Sequence, residues 1–358
     1  MREITGKLSL ELDAKIAAEF VFDENYWKRR CVEQFMLRNC QISEHGLTWK
    51  QLFFETYLQQ CLEEFEPDSE GSRLPDLLQA VSSCQDYIFT LTTRQLLGHP
   101  DVELICKMLP NLTKLEITYG VKKIGMKYDR MLFGMKISDA NCLAKCILDC
   151  ENLTALALQS NLIDDDLLRM LMTGLIKNSQ ITHLDLAHNK ITNHGIRLLS
   201  KLLGASSVLT SLNLADNQIH AEGGRYLGRA LRANESLVEL NLRLNRLVDE
   251  GGRMLLEGFC STCTITSLNL SGNSLSKESS AALVHILEDG NLPIRSLDLS
   301  CNEFIDEDIE NMGQAAESNK ILVNMDLRMN STSSDDNIVY EHIRKILHRN
   351  ELSLQAGL

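Results

Sequence analysis

The sequence predicts an α/β solenoid, a stack of short parallel strands with one helix returning between each pair. Three observations predict it. Between Leu153 and Asn330 one eleven-residue phrase occurs seven times, beginning at Leu153, Ile181, Leu209, Leu237, Ile265, Ile294 and Leu322. Each copy holds an asparagine at the same place, Asn161, Asn189, Asn217, Asn245, Asn273, Asn302 and Asn330. The copies recur every 28 residues, with one step of 29, and apolar residues recur between them at helical intervals.

The phrase, L-x-x-L-x-L-x-x-N-x-L, is the leucine-rich-repeat signature. In its L-x-L centre, alternate residues of a short strand point inward, as with Leu184 and Leu186 or Leu212 and Leu214. The chain must then turn sharply, and the asparagine amide carries donors and acceptors for the peptide groups stranded there. These seven asparagines are therefore expected to form a buried scaffold ladder. After each asparagine, apolar residues at about +9, +10, +13 and +14 predict a helix, as in Leu198, Leu199, Leu202 and Leu203. Gly195, Gly223 and Gly251 recur at +6, where a small residue is expected to ease the turn. Strands sit about 4.8 Å apart while packed helices need roughly 8–10 Å. The helices must then form the outer arc and the parallel sheet a concave face, the ribonuclease-inhibitor-like horseshoe.

Taken in order, residues 1–75 read as a helical N-terminal region and linker. Helices are expected over 24–40, with Trp27 and Cys31 on successive turns, and over 48–65, with Thr48 as N-cap. EPDSEGSRLP at 66–75 is turn-rich. Residues 76–136 read as divergent repeats or a cap with an insertion. LPNLTKLEITYG at 109–120 keeps the phrase but puts Gly120 in the asparagine slot, and a strand is expected near 87–91. Terminal repeats diverge because they must cover an otherwise exposed core. Residues 137–335 are the repeats. Residues 336–358 hold a capping helix, expected over 336–349 with Val339, Tyr340, Ile343, Ile346 and Leu347 inward.

The 358-residue chain is 44% hydrophobic and 24% charged, enough to bury a sizeable core. A net charge of −13 with no basic stripe argues against nucleic acid. No run of 18 apolar residues offers a membrane span, and the N-terminus lacks an apolar signal core. Eleven cysteines, an odd number without a signal peptide, point to a reducing compartment. Five glycosylation sequons, at Asn111, Asn152, Asn234, Asn269 and Asn330, read as coincidental.

Catalytic chemistry has no support. There is no H-E-x-x-H, phosphate-binding loop, G-x-G-x-x-G or G-x-S-x-G. Cys260-Ser-Thr-Cys263 has C-x-x-C spacing, but no second pair completes a zinc set. Cys142, Cys146 and Cys150 share one helix face and read as small core residues. His183 and His188 flank Asp185 without forming a triad. Catalytic, cofactor-binding and metal residues are therefore expected to be absent, and no cofactor is expected.

The informative surface is the open face of the sheet, six, four and two residues before each asparagine. It is small, polar and mildly acidic. Asp185, Glu239, Arg243, Asp298, Asp326 and Arg328 are its candidate interaction residues, with Trp27 and Trp49 in the N-terminal region as candidate anchors. Asp185, taken as outward and solvated, is expected to tolerate alanine within about 0.5 kcal/mol.

One resemblance covers most of the chain. DENYWKRRCVEQF, then TWKQLFFETYLQQCLEEFEP, then a broken repeat region and seven repeats resemble the subunit 5 family of the nexin–dynein regulatory complex, also called T-complex-associated testis-expressed protein 1. Residues 22–67 discriminate, since the repeats alone are shared by many interaction proteins. The resemblance implies a non-enzymatic axonemal protein of the cytoplasm and cytoskeleton in motile cilia and flagella. It would lie in the link between doublet microtubules that regulates dynein, with other subunits and axonemal proteins as partners and neither nucleic acid nor membrane. Two other readings follow from similar repeats. A regulator resembling the Ran GTPase-activating proteins lacks here the acidic C-terminal tail, and a ribonuclease-inhibitor-like binder needs a more acidic, more aromatic face.

Overall fold

The structure, a computed structural model, describes residues 17, 19–37, 42, 47–66, 73–120, 132–259, 264–288, 292–332 and 337–355. Cys260, Cys263 and most of the expected insertion lie outside the described residues. Contacts divide the chain into two compact units, Met1–Leu156 and Ala157–Leu358.

The first unit begins with two packed helices. Helix α1, Glu24–Phe35, starts where the Asp23 carboxylate accepts the Asn25 N–H at 3.0 Å. It stops short of residue 40, because Met36 turns left-handed at φ 57° and Leu37 N–H returns to the Cys31 carbonyl. Helix α2, Trp49–Glu63, is capped by Thr48 as the sequence predicts. Trp27 packs between the helices, 5.1 and 5.2 Å from the Phe53 and Phe54 rings, and its indole N–H donates to the Val21 carbonyl at 3.0 Å. Helix α3, Arg73–Cys84, leads to strand β1, Thr90–Thr93. Helix α4, Val102–Lys107, returns to β2, Lys114–Ile117, which pairs parallel to β1 with Leu91 beside Leu115. Carboxylates of α2 occupy backbone donors along β1. Glu55 accepts the Phe89 and Thr90 N–H groups at 3.1 and 2.8 Å, and Glu63 accepts Arg94 N–H at 2.7 Å. A strand edge is thus blunted by side chains. Helix α5, Ile137–Asp149, follows, with strand β3, Ala155–Ala157, at the border of the two units.

The second unit is the solenoid. Strands β4 His183–Asp185, β5 Ser211–Asn213, β6 Glu239–Asn241, β7 Ser267–Asn269, β8 Ser296–Asp298 and β9 Asn324–Asp326 pair in chain order, all parallel. Register is set repeat to repeat, Leu184 beside Leu212 beside Leu240 beside Leu268 beside Leu297 beside Met325. Between strands run α6 Asp165–Leu175, α7 Asn193–Leu199, α8 Ala221–Leu231, α9 Val248–Leu256, α10 Lys277–Glu288 and α11 Asp306–Ala316. The inward leucines, among them Leu186, Leu214, Leu242, Leu270 and Leu299, are fully buried.

The helical face differs from the predicted phase. Buried positions are +7, +10, +11 and +14, as in Leu168, Leu171, Met172 and Leu175, while +9 residues such as Leu198 and Tyr226 are half-buried flanks. Position +7 escaped the apolar pattern because Gly224 and Gly252 occupy it in two repeats. At Gly224 the backbones nearly touch. A Cβ at Gly224 would overlap the Gly251 carbonyl, and one at Gly228 the Met254 carbonyl, so α8 and α9 pack main chain on main chain.

Position +4 ties successive helices together. The Asp165 carboxylate accepts Thr192 and Gly195 N–H groups, and the Asn193 side chain accepts those of His220 and Gly223. Asp249 accepts Ser276 and Ser279 N–H groups at 3.0 and 2.8 Å and the Ser276 hydroxyl at 2.6 Å. Three repeats thus cap the next helix. Gly195 and Gly223 serve this contact: a Cβ at Gly195 would stand 2.5 Å from the Asp165 oxygen and one at Gly223 2.9 Å from the Asn193 oxygen, whereas one at Gly251 would meet the Ala221 backbone. Easing a turn is not their role. Burial disfavours the Asp249 charge, but the hydrogen bonds from Ser276, Ser279 and Glu278 outweigh it and hold the carboxyl at about 2.

The last helix, α12, spans Asn337–Gln355, beyond the expected end at 349. Ile343 and Ile346 are buried as predicted, and Val339, Tyr340 and Leu347 are half-buried. The extension carries Asn350, 1% exposed, whose amide donates to the Asn319 and Leu322 carbonyls at 3.0 and 2.8 Å.

Two predictions follow from this packing. Gly228→Ala should destabilise by about 1–3 kcal/mol through overpacking, although alanine favours an isolated helix by about 1 kcal/mol; the urea midpoint reads the sign. The depressed Asp249 carboxyl stabilises the fold above about pH 4 and loses that contribution as pH falls toward about 2. Asp249→Asn should therefore lower the urea midpoint at neutral pH and flatten its fall between pH 4 and 2.

Candidate functional site

Each repeat turns on its asparagine. The Asn189 amide donates to the Leu186 and Ala187 carbonyls of its own repeat at 2.9 and 3.1 Å, and to Leu158 of the preceding one at 3.0 Å. Its oxygen accepts the N–H groups of Asn161 and Ile163 at 3.1 and 3.0 Å. Asn217, Asn245, Asn273 and Asn302 repeat the donor pattern and also accept N–H groups from the preceding repeat. Asn330 does likewise with Leu299, Leu327 and Phe304 but is only half-buried, since its repeat is the last. Asn161 is fully buried.

The turn exacts a backbone conformation that residue types conceal. The residue before each asparagine is left-handed: Ser160, His188, Asp216, Leu244, Gly272, Cys301 and Met329, with φ between 51° and 66°. Only one is glycine, so six repeats hold an L side chain in a region costing roughly 1–2 kcal/mol.

A second row of side chains lies on the open face four residues before the asparagine. Asp185, Asn213, Asn241, Asn269, Asp298 and Asp326 each accept the N–H two residues on, at 2.9–3.1 Å. Sideways links join them. Asp185 accepts amide protons from Gln159 and Asn213 at 2.6 and 2.9 Å, and Asp298 accepts one from Asn269 at 2.9 Å. This corrects the view of Asp185 as a solvated bystander, because its carboxylate organises a turn and two neighbours. The signal was present in the sequence, since every x of L-x-L from β4 to β9 is Asp or Asn.

The candidate interaction residues separate accordingly. Asp185, Asp298 and Asp326 are half-buried and engaged in turns, and Asp326 also holds the Arg328 guanidinium. Glu239 and Arg243 are exposed on the β6 repeat, Glu239 accepting the Ser211 hydroxyl at 3.1 Å. Arg328 is exposed. Trp27 is 0% exposed, so it is no surface anchor: its indole is core between α1 and α2. Trp49 is half-buried, with the Lys28 ammonium 5.4 Å from its ring centre. His188 pairs with Asp216 of the next repeat at 2.9 Å, away from Asp185. Asn234 is 2% exposed, and Asn269 and Asn330 are bonded within the sheet and ladder, which leaves no room for glycans at these sequons.

Cys142 stands apart from its helix mates. Cys146 and Cys150 instead meet Cys106 of α4, their three sulfurs within 4.8 Å of one another. Hydrogen bonds from Cys106 and Cys146 lower the Cys150 thiol below its ordinary value. No helix among the described residues is long and apolar enough to cross a membrane.

The family model for the Leucine Rich repeat matches residues 177–200, 205–228, 233–256 and 290–313. Dynein regulatory complex subunit 5 of Chlamydomonas reinhardtii is 40% identical over 171 residues, 48% of this chain and 43% of that one. Its Mus musculus counterpart is 31% identical over 203 residues, 49% of this chain and 40% of that one. Over about half its length the chain is similar to dynein regulatory complex subunit 5. It spans less than half the length of these curated relatives. Among solved structures, an internalin from Listeria monocytogenes is similar at 17% identity and a TM-score of 0.43, over 75% of this chain and 68% of that one.

Asn217→Ala would strand the Leu186 and Leu214 carbonyls and the Ile191 N–H, and should cost about 2–4 kcal/mol. Asp185→Ala should cost about 1–2 kcal/mol, more than an ordinary surface change. Chemical denaturation of both variants checks the order.

Proposed function

We propose that this chain is a non-enzymatic structural and regulatory subunit of the nexin–dynein regulatory complex in the axoneme of motile cilia and flagella. The observation that carries this reading is the 40% identity to the Chlamydomonas subunit 5. The site chemistry supports a scaffold role, because the polar rows of the sheet spend their hydrogen bonds on the fold. Docking falls to the side chains that extend beyond those rows, Glu239, Arg243 and Arg328, and its partners are other subunits of the complex. Their opposite charges on a polar face suit orientation and selection of a partner more than raw affinity.

Axoneme extraction tests this. The tagged chain should stay with demembranated axonemes and leave only in high salt. A triple charge reversal, Glu239→Arg with Arg243→Glu and Arg328→Glu, should reduce that retention severalfold while stability changes by no more than about 1 kcal/mol. A wild-type chain found wholly in the detergent-soluble fraction would overturn the axonemal assignment. Full retention of the stably folded triple variant would move the contact off this face.

A further inference from the structure

Three thiols from two helices converge in the first unit. Cys106 sits on the last turn of α4, Cys146 on the last turn of α5, and Cys150 at the C-cap of α5. Cys146 and Cys150 are separated by one helical turn, so their side chains share a face. Their Sγ atoms are 3.8 Å apart, and the Cys106 Sγ lies within 4.8 Å of both. Bonds of about 2.3 Å to a tetrahedral ion place sulfur atoms about 3.8 Å from each other. One edge of the triangle already has that length, and a small shift of α4 closes the other two.

The surroundings suit a bound ion. Cys106 and Cys146 are 2% and 0% exposed, while Cys150 is half-buried and provides the way in. Lys107, the neighbour of Cys106, bridges Glu103 at 2.7 Å and Asp149 at 3.2 Å across the same two helices. Three thiolates around a divalent ion carry a net charge of −1, and Lys107, which Glu103 and Asp149 share, lowers the charge cost at Cys150 only in part. Packing accounts for each cysteine as a small buried residue, but it does not require three sulfurs to meet at one point. Soft sulfur ligands select zinc and its heavier congeners over magnesium or calcium.

We propose that Cys106, Cys146 and Cys150 bind one thiophilic divalent ion of the zinc class, which clamps α4 against α5. Each thiol releases its proton to solvent as its sulfur bonds the metal, with no change of oxidation state. The fourth position is left to water.

The test uses the full chain carrying Cys260→Ser and Cys263→Ser, so that the C-x-x-C pair contributes nothing. The reduced, chelator-stripped protein is titrated with Cd2+, read by the ultraviolet thiolate-to-cadmium charge-transfer band and by Tm. One Cd2+ should bind per chain, raise Tm, and be displaced competitively by Zn2+. Cys150→Ser, at a half-buried helix end where folding should survive (checked by circular dichroism), should bind at least tenfold more weakly. Cys142→Ser and Cys301→Ser should bind like the parent. Absence of the band, or a band undiminished in Cys150→Ser and Cys106→Ser, would overturn the proposal and leave the thiols as core packing.

Discussion

The bonded asparagine amide is the constraint on which the solenoid depends. A strand of three residues followed by a left-handed turn leaves several main-chain groups facing the core, and each would be costly to bury unpaired. One planar amide satisfies donors and acceptors together. Because Asn217 bonds to Leu186 of one repeat and to Leu214 and Ala215 of its own, no single repeat can complete its turn. The rung is therefore an interface as much as a turn, and stability resides in neighbour contacts, as expected of a quasi-one-dimensional fold. The helix caps follow the same rule, with Asp165, Asn193 and Asp249 each serving the helix of the next repeat.

Such a design makes ends expensive, and each unit answers with polar side chains as well as added apolar surface. In the first unit, Glu55 and Glu63 of α2 take up N–H groups along β1. Burial raises the Glu55 carboxyl above its ordinary value, against hydrogen bonds from Gln51, Thr90 and Phe89 that favour its charge. In the second unit, Asn350 of α12 extends the pattern of buried amides, and Arg349 donates to the Glu317 and Asn319 carbonyls at 3.1 and 2.8 Å.

Legibility in the sequence tracks whether a physical demand selects a residue type. The leucine spine and the asparagine ladder were plain because burial admits few substitutes and the turn needs an amide. The left-handed position before each asparagine was invisible: the strain is borne by the surrounding bonds, so Ser160, Leu244 and Met329 all fill it. The buried face of the helices differed from the expected one, with +7 and +11 in place of +9 and +13, because glycine stands at +7 in two repeats, at Gly224 against the Gly251 carbonyl and at Gly252 against the Ser279 and Leu275 side chains. The last helix was cut short because its terminal anchor, Asn350, is polar. The row from Asp185 to Asp326 was seen but assigned to solvent, since alternation along a strand tells which side a residue faces and not what it bonds. The cysteines misled by spacing, for the helix face grouped Cys142 with Cys146 whereas the fold supplies Cys106.

These two kinds of polar residue on one face imply a division of labour. An Asp or Asn whose acceptors are already filled by backbone and neighbouring amides gains little from a partner. Its hydrogen bonds persist when a partner displaces water, although covering an ionised Asp still carries a desolvation cost. The row therefore gives a surface whose own hydrogen bonds do not choose what covers it. Choice falls to the residues two before and two after, where Ser, Ala, Glu239, Arg243 and Arg328 vary from repeat to repeat without disturbing the ladder. A repeat protein built this way can change partners by altering side chains that the fold does not use, while the rows beneath them stay fixed by the turn they hold.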